Sequence, residues 1–150
     1  MKLAQALTLR KDIQVRMNQL MSRLNDNAKV QEGLKPNEDP YALLNELEAC
    51  HNDYVAIVNR INLTNTMTVV DGQRLGDLVV ERDALIKLVG YKRRFLDEAS
   101  QLINRYSKSE ILVKSTVNVS ALHAEIDTMA REIRERDTRI QELNWTTELL

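Results

Sequence analysis

The chain has 150 residues, with 21 basic and 22 acidic side chains and a formal net charge of −1. This balance gives no basic field for a polyanion, so the composition argues against a nucleic-acid partner. Four glycines, two prolines and few aromatic residues favour long amphipathic helices over a turn-rich sheet protein. The single cysteine, Cys50, excludes an internal disulfide framework and fits a reducing compartment.

No stretch approaches the roughly 18 apolar residues of a membrane span. The opening segment, MKLAQALTLRKDIQ, is interrupted by Gln5 and Thr8 and lacks a small-residue cleavage site. It is therefore interpreted as the start of a helix rather than a signal peptide. We expect a cytoplasmic protein.

Residues spaced three and four apart predict a first helix over about residues 2–25. Its stripe ends at NDNAKVQEGLKPNEDP, a long connection rich in Asn, Gly and Pro. A second helix over about 40–65 begins at Asp39-Pro40, where Asp39 can cap the first turn and Pro40 needs no donor. Cys50 falls on the apolar stripe of this helix, so we predict a buried core residue rather than a nucleophile.

The segment TMTVVDGQRL combines β-favouring residues with the tight-turn pair Asp71-Gly72, and it predicts a small hairpin or a bent connection. A third helix follows over about 76–106. Its main stripe is Leu78, Leu85, Val89, Lys92, Leu96, Ala99, Ile103 and Tyr106. A second apolar row holds Val79, Ile86 and Phe95, with Leu88 and Leu102 between the rows. This extra apolar surface needs a cover, either the hairpin or another chain.

The segment EILVKSTVNV, residues 110–119, alternates in polarity and predicts a strand. A fourth helix is expected over about 119–144. Four long helices joined by returning connections predict a mainly α protein, an up-down-up-down four-helix bundle forming one domain over 1–150. Short β segments would cap the ends: residues 29–32 paired with 111–117 at one end, and the Asp71-Gly72 turn at the other.

Trp145, the only tryptophan, is predicted to fold over the bundle end as a hydrophobic plug. Polar residues are expected to gather at the same end: Arg60, Asn62, Asn65, Arg82, Asp83, Arg139, Asn144 and Trp145. The favoured interpretation is a network that caps helix ends. The alternative is a small-molecule or enzymatic pocket.

No catalytic, cofactor-binding or metal-binding residues are predicted. Glu48 and His51 form an E-x-x-H pair, but the buried stripe passes through Leu47 and Cys50, and there is no second such pair. A phosphate-cradling glycine loop, a nucleophile elbow and a triad spacing are all missing from the sequence. Arg10, Lys92 and Arg136 occupy stripe positions, and because an isolated charge does not stay buried, each is expected to pair, to reach solvent or to face another subunit.

Five segments resemble a family of small bacterial proteins of uncharacterised function, some of which carry the name septicolysin. They are NAKVQEG (27–33), NRINLTN (59–65), ERD (81–83), NRYSKSEI (104–111) and DTRIQELNWTTEL (137–149). The resemblance covers nearly the whole chain. It implies a pore-forming or lytic protein by name, and it supplies no catalytic residues.

The sequence therefore predicts a non-catalytic helical protein that self-associates as a homo-oligomer without a cofactor. The alternative is a septicolysin-like membrane-active or pore-forming protein, motivated by the family name and by the amphipathic 110–119 segment. A third, weaker alternative is a small-molecule or enzymatic pocket near Trp145.

Overall fold

The computed structural model describes residues 1–102 and 112–150 and is mainly α-helical, as predicted. Its helices are α1 (Leu3–Asp26), α2 (Pro40–Met67), α3 (Leu75–Ser100) and α4 (Val119–Thr146). Two short strands, β1 (Val69–Val70) and β2 (Gln73–Arg74), separate α2 from α3. The predicted helix bounds agree to within two residues except at the end of α3, which stops at Ser100 rather than 106. Ile103 and Tyr106 lie outside the described residues.

The chain divides into two compact units. Unit 1 comprises residues 1–76 and 142–150, and unit 2 comprises residues 77–141. Each unit is built around a pair of helices. That the whole chain forms one domain stays a prediction.

Unit 1 contains the antiparallel pair α1 and α2. Arg16 near the middle of α1 bonds Glu46 at 2.7 Å, whereas Arg23 near its end pairs with Glu38, which precedes α2. Between the helices lies a core cluster of Leu20, Leu43 and Cys50, flanked by Ile13, Met17, Leu24 and Leu47. Each fully buried aliphatic side chain of this kind contributes about 1.5–3 kcal/mol relative to exposure.

The α1–α2 connection is closed by Asn27, which is buried. Its side-chain amide donates to the Arg23 carbonyl, and its side-chain oxygen accepts from the Glu38 backbone amide at 2.9 Å. Asp39 then accepts from the Tyr41 amide at 3.0 Å with Pro40 in the first turn, which confirms the predicted start of α2.

The predicted tight turn at Asp71-Gly72 is also confirmed. Strands β1 and β2 pair antiparallel, with Val70 opposite Gln73. Both turn residues have positive φ, 53° at Asp71 and 82° at Gly72, as a two-residue type I′ hairpin requires.

Unit 1 also brings its first and last residues together. The Leu3 amide donates to the Thr147 carbonyl at 3.0 Å, and the Leu149 amide donates to the Met1 carbonyl at 2.8 Å. Lys2 and Glu148 form an isolated antiparallel bridge. Leu3 and Leu149 are both buried, so this short pairing lies over apolar side chains.

Unit 2 contains the antiparallel pair α3 and α4. Arg82 in the first half of α3 pairs with Asp137 late in α4, and Lys92 pairs with Glu125 early in α4. The buried cluster is Val89, Leu96 and Ile126, flanked by Val119, Leu122, Met129 and Ile133. The inward stripe predicted for α3 is therefore confirmed at Val89 and Leu96.

The strand predicted over 110–119 is wrong for the part that the structure describes. Residues 112–118 contain no strand, and α4 begins at Val119; residues 110 and 111 lie outside the described part of the chain. Residues 29–32 form no strand either, so no capping sheet forms from the described portions of those two segments. The alternating polarity of this segment therefore does not mark a strand. Leu112 and Val113 are both exposed, and they form no strand pairing.

Candidate interaction surface

The predicted polar cluster is divided between the two units: Arg60, Asn62, Asn65, Asn144 and Trp145 belong to unit 1, and Arg82, Asp83 and Arg139 to unit 2. Arg60 donates through Nε to the Leu150 carbonyl at 2.8 Å. One turn further along α2, Thr64 accepts from the Leu150 amide at 3.0 Å. In unit 1 the polar side chains of α2 thus hold the C-terminal segment, and the capping of helix ends by the cluster stays a prediction.

The other residues of the cluster have separate roles. In unit 1, the Asn62 carbonyl accepts from the Thr66 hydroxyl at 2.9 Å, and the Asn65 carbonyl lies close to Gly76, where an added Cβ would sit 3.4 Å from it. In unit 2, Arg82 donates to both Asp83 and Asp137. Arg139 is exposed, and Asn144 is partly buried.

The prediction that Trp145 is a buried plug is wrong. Its side chain is 64% exposed, whereas Leu149 is 8% exposed. Helix α4 continues to Thr146, so Trp145 still follows the helical direction and does not fold back. The chain then turns through Thr147 and Glu148, and the smaller Leu149 enters the core of unit 1.

Ion pairing explains two of the three stripe charges. Arg136 bonds Glu132 one turn earlier on α4 at 2.7 Å and Glu81 on α3 at 2.6 Å. The hydrogen bond that Arg136 donates to Glu132, followed by the one that it donates to Glu81, raises the pKa of the Arg136 guanidinium. Lys92 pairs with Glu125. Arg10 is partly buried and has no ion pair within residues 1–102 and 112–150.

The described residues contain no group of three or more His, Cys, Asp or Glu side chains that could hold a metal ion. Glu48 and His51 are exposed, off the inward face of α2. Cys50 is 5% exposed and packs with Leu20 and Leu43, which confirms the prediction of a core residue.

The most distinctive surface in unit 2 is an apolar stripe along α3. It runs over four turns and comprises Val80, Ala84, Leu88, Tyr91 and Phe95, and we name it the α3 stripe. All five are exposed, and Tyr91 is 62% exposed. Their spacing of three or four residues places them on one side of the helix. The side chains that pack against α4, Val89 and Leu96, occupy a different face.

Beside the stripe, α3 and α4 form a groove of about 350 Å³. Its lining is Glu81, Ala84, Leu85 and Leu88 from α3, with Glu132 and Arg136 from α4. The small side chain of Ala84 leaves the floor open. The rim carries the Glu81–Arg136–Glu132 ion pairs, so the groove combines an apolar floor with a charged edge.

Sequence reasoning found the excess apolar surface of α3 and identified Leu88 and Phe95 as part of it. It missed Val80, Tyr91 and the role of Ala84. The three-and-four spacing from Val80 to Phe95 carries this information. It was obscured at positions 84 and 91, because Ala and Tyr are weaker apolar signals than Leu and Val.

None of the helices in the described part of the chain has both the length and the hydropathy that a membrane-spanning helix requires.

Comparison with known proteins gives a family without an assigned activity. A model described as a family of unknown function (DUF6847) matches residues 10–149. A solved structure described as a functionally unknown conserved protein from Corynebacterium diphtheriae is 40% identical, covers 100% of this chain and 99% of its own, and has a TM-score of 0.93. A search of curated proteins gives no match. The chain therefore belongs to the DUF6847 family of unknown function.

Proposed function

We propose that this chain is a non-catalytic helical protein whose function depends on self-association. The observation that carries the proposal is the α3 stripe. Scattered exposed apolar side chains are ordinary on a protein surface, but aligned ones mark an interaction site. Tyr91 and Phe95 add aromatic side chains, a type enriched in protein interfaces.

The balance of apolar residues supports the same proposal. Within the described residues, 14 hydrophobic side chains are buried and 22 large hydrophobic side chains are exposed. A chain with this many exposed hydrophobic side chains gains stability when a partner covers some of them. A second copy of the chain is the partner always present at equal concentration.

Sedimentation velocity over a concentration series from about 0.1 to 100 μM tests self-association. The sequence mass is 17.3 kDa. We expect a weight-average mass that rises to twice this value or more as concentration increases. A mass that stays at 17.3 kDa across the series would contradict the proposal.

Two finer features complete the proposal: an up-down-up-down bundle of the four helices and a cytoplasmic location. The antiparallel pairs α1–α2 and α3–α4 supply the alternating directions that such a bundle needs. Spin-label distances between pairs of helices would test the bundle. Cell fractionation of the tagged full-length chain would test the location.

Membrane activity is a second and weaker candidate. It derives from the septicolysin resemblance, which stays a prediction. Its structural motivation, a strand over 110–119, is missing from residues 112–118. Dye release from liposomes tests it directly: leakage that depends on the protein would favour this candidate over the first. A pocket near Trp145 has less support still, since that side chain is 64% exposed rather than enclosed.

A further inference from the structure

We propose that the groove beside the α3 stripe receives Tyr91 of a second copy of this chain, with the two α3 helices antiparallel across a two-fold axis near Leu88. The inference rests on the proposed self-association and adds its surface, direction and register. The groove, the aromatic residue and the flanking charges all belong to unit 2 and lie within its described residues.

The α3 lining of the groove has the geometry of a packing hole. Glu81, Ala84, Leu85 and Leu88 stand at positions i, i+3, i+4 and i+7 of one helix. Four residues with this spacing surround an inserted side chain in knobs-into-holes packing. The small side chain of Ala84 leaves room in the hole for a large inserted side chain. The side chain that fills the hole must come from outside the four residues that form it. Tyr91 lies almost two turns further along the same helix, so we assign the hole to Tyr91 of a second copy.

The α3 stripe can pair with a second, antiparallel copy of itself when the two copies are centred on Leu88. Ala84 lies four residues before Leu88 and Tyr91 three residues after it. Val80 lies eight residues before it and Phe95 seven after. An antiparallel pair of copies therefore sets each large aromatic side chain against a smaller residue, and it does so twice. A two-fold contact requires this reciprocity, in which residue i meets j and j meets i.

The chemistry of the groove suits a tyrosine. Its floor is apolar, whereas its rim holds the Glu81 and Glu132 carboxylates, both of which bond Arg136. A buried tyrosine hydroxyl needs a polar partner, and a rim carboxylate can accept a hydrogen bond from it while keeping the bond to Arg136. The Tyr91 ring is already held on one face, because the Arg94 guanidinium lies 4.9 Å from its centroid.

The charges of α3 select the antiparallel direction. Residues 77–83 carry three carboxylates and one arginine, whereas residues 87–94 carry four basic side chains and no acidic one. With the axis near Leu88, residues 77–83 of one copy face residues 93–99 of the other, so Asp83 of each lies opposite Arg93 of the other, although Arg82 lies opposite Arg94. Parallel copies would bring like charges together, which is unfavourable across a helical interface. The helix dipoles act in the same direction.

Replacing Tyr91 with alanine tests whether its side chain occupies the groove of a second copy. We expect Tyr91→Ala to raise the dissociation constant of the full-length chain roughly tenfold or more in sedimentation equilibrium. Tyr41→Ala is the matched control, because Tyr41 is 77% exposed and lies on α2 in unit 1. Filling the hole by Ala84→Leu should weaken association in the same way. Circular dichroism checks that each variant stays folded.

Cysteine cross-linking tests the register, and it is run at a concentration well above the dissociation constants of the variants, since Tyr91→Cys itself removes one inserted side chain. In a Cys50→Ala background, a short bismaleimide should join an Ala84→Cys chain to a Tyr91→Cys chain in a mixture. Each variant alone should cross-link poorly. Leu88→Cys, near the two-fold axis, should cross-link to itself.

The outcomes separate the two proposals. A monomer at every concentration overturns both. If the chain forms an oligomer that Tyr91→Ala and Ala84→Leu leave unchanged, self-association is retained and this interface is overturned. The same conclusion follows if Tyr41→Ala weakens the oligomer as much as Tyr91→Ala does. Efficient self-cross-linking of Ala84→Cys and Tyr91→Cys alone, without the mixed product, indicates parallel copies and overturns the register.

Discussion

The backbone amide of Leu149 donates to the carbonyl oxygen of Met1 at 2.8 Å, so residues after α4 are held against the residues that precede α1. The Leu149 side chain is 8% exposed, although only three residues separate it from Trp145, which is 64% exposed. In this segment the smaller side chain supplies the core contact and the larger one faces solvent.

Leu149→Ala should therefore destabilise the fold far more than Trp145→Ala. Truncating a buried leucine costs about 2–5 kcal/mol, because apolar contacts are lost and a cavity remains. Replacing an exposed side chain away from the core changes stability by about 0.5 kcal/mol or less. Urea unfolding followed by circular dichroism measures both variants. Equal losses, or a greater loss for Trp145→Ala, would place tryptophan in the core after all.

The Glu148 carboxylate should titrate below the usual range for glutamate. The hydrogen bond from Lys2, followed by that from the Met1 amine, lowers the pKa of Glu148. Since the folded pKa lies below the unfolded one, the stabilising contribution is present above the unfolded pKa. It is lost as the pH falls through the folded pKa.

Carbon-detected NMR titration of the side-chain carboxyl measures this shift. Lys2→Met should move the pKa of Glu148 up towards its ordinary value. Glu38 provides the internal control, because its pKa is lowered by Arg23 rather than by Lys2. A Glu148 pKa that does not respond to Lys2→Met would show that the two side chains do not interact in solution.

Local residue chemistry predicted the parts of the fold that depend on neighbours in sequence. Asp39-Pro40 starts α2 and Asp71-Gly72 makes a hairpin turn, because capping and positive φ are properties of a few consecutive residues. The end of the chain was predicted wrongly for a physical reason. Whether Trp145 or Leu149 is buried depends on pairing with Met1 and Lys2, and no local pattern encodes such a distant contact.

The candidate surface was only half predictable for a related reason. A stripe of apolar residues in the sequence predicts an apolar face on a helix, and Leu88 and Phe95 predicted such a face on α3. The groove over Ala84 forms only if Glu132 and Arg136 of α4 lie beside Ala84 of α3. Helix periodicity does not determine how far α4 is shifted along α3. Ion pairs across the two helices, such as Lys92 with Glu125, fix this shift in the structure.

Two glycines should respond in opposite ways to alanine. Gly72 has a φ of 82°, where an alanine is strained, so Gly72→Ala should cost about 1–2 kcal/mol. Gly90 lies within α3 with open space around its Cβ position, so Gly90→Ala should gain about 0.5–1 kcal/mol of helix stability. Thermal unfolding of both variants at one low concentration makes the comparison. A loss at Gly90 would indicate that another part of the same chain approaches the helix there.

The Cys50 thiol should react slowly with a thiol reagent in the native protein. It is 5% exposed and packs against Leu20 and Leu43 between α1 and α2. Modification then requires local opening, so its rate should rise steeply with urea. Absorbance of the released thionitrobenzoate follows the reaction. Complete modification within seconds without denaturant would mean that the α1–α2 core opens readily.

Arg136 should contribute little to stability through its ion pairs, even though it bridges α3 and α4. Its side chain is 29% exposed, and those of Glu81 and Glu132 are 50% and 48% exposed. Solvent screens pairs of this kind, and their coupling is typically about 0.2–1 kcal/mol. A double-mutant cycle of Arg136→Met with Glu81→Gln, measured by urea unfolding at concentrations where the chain is monomeric, gives the coupling directly. Because the pair is exposed, the coupling should shrink as salt is added. A salt-independent coupling above about 3 kcal/mol would instead indicate that the pair is desolvated within the monomer.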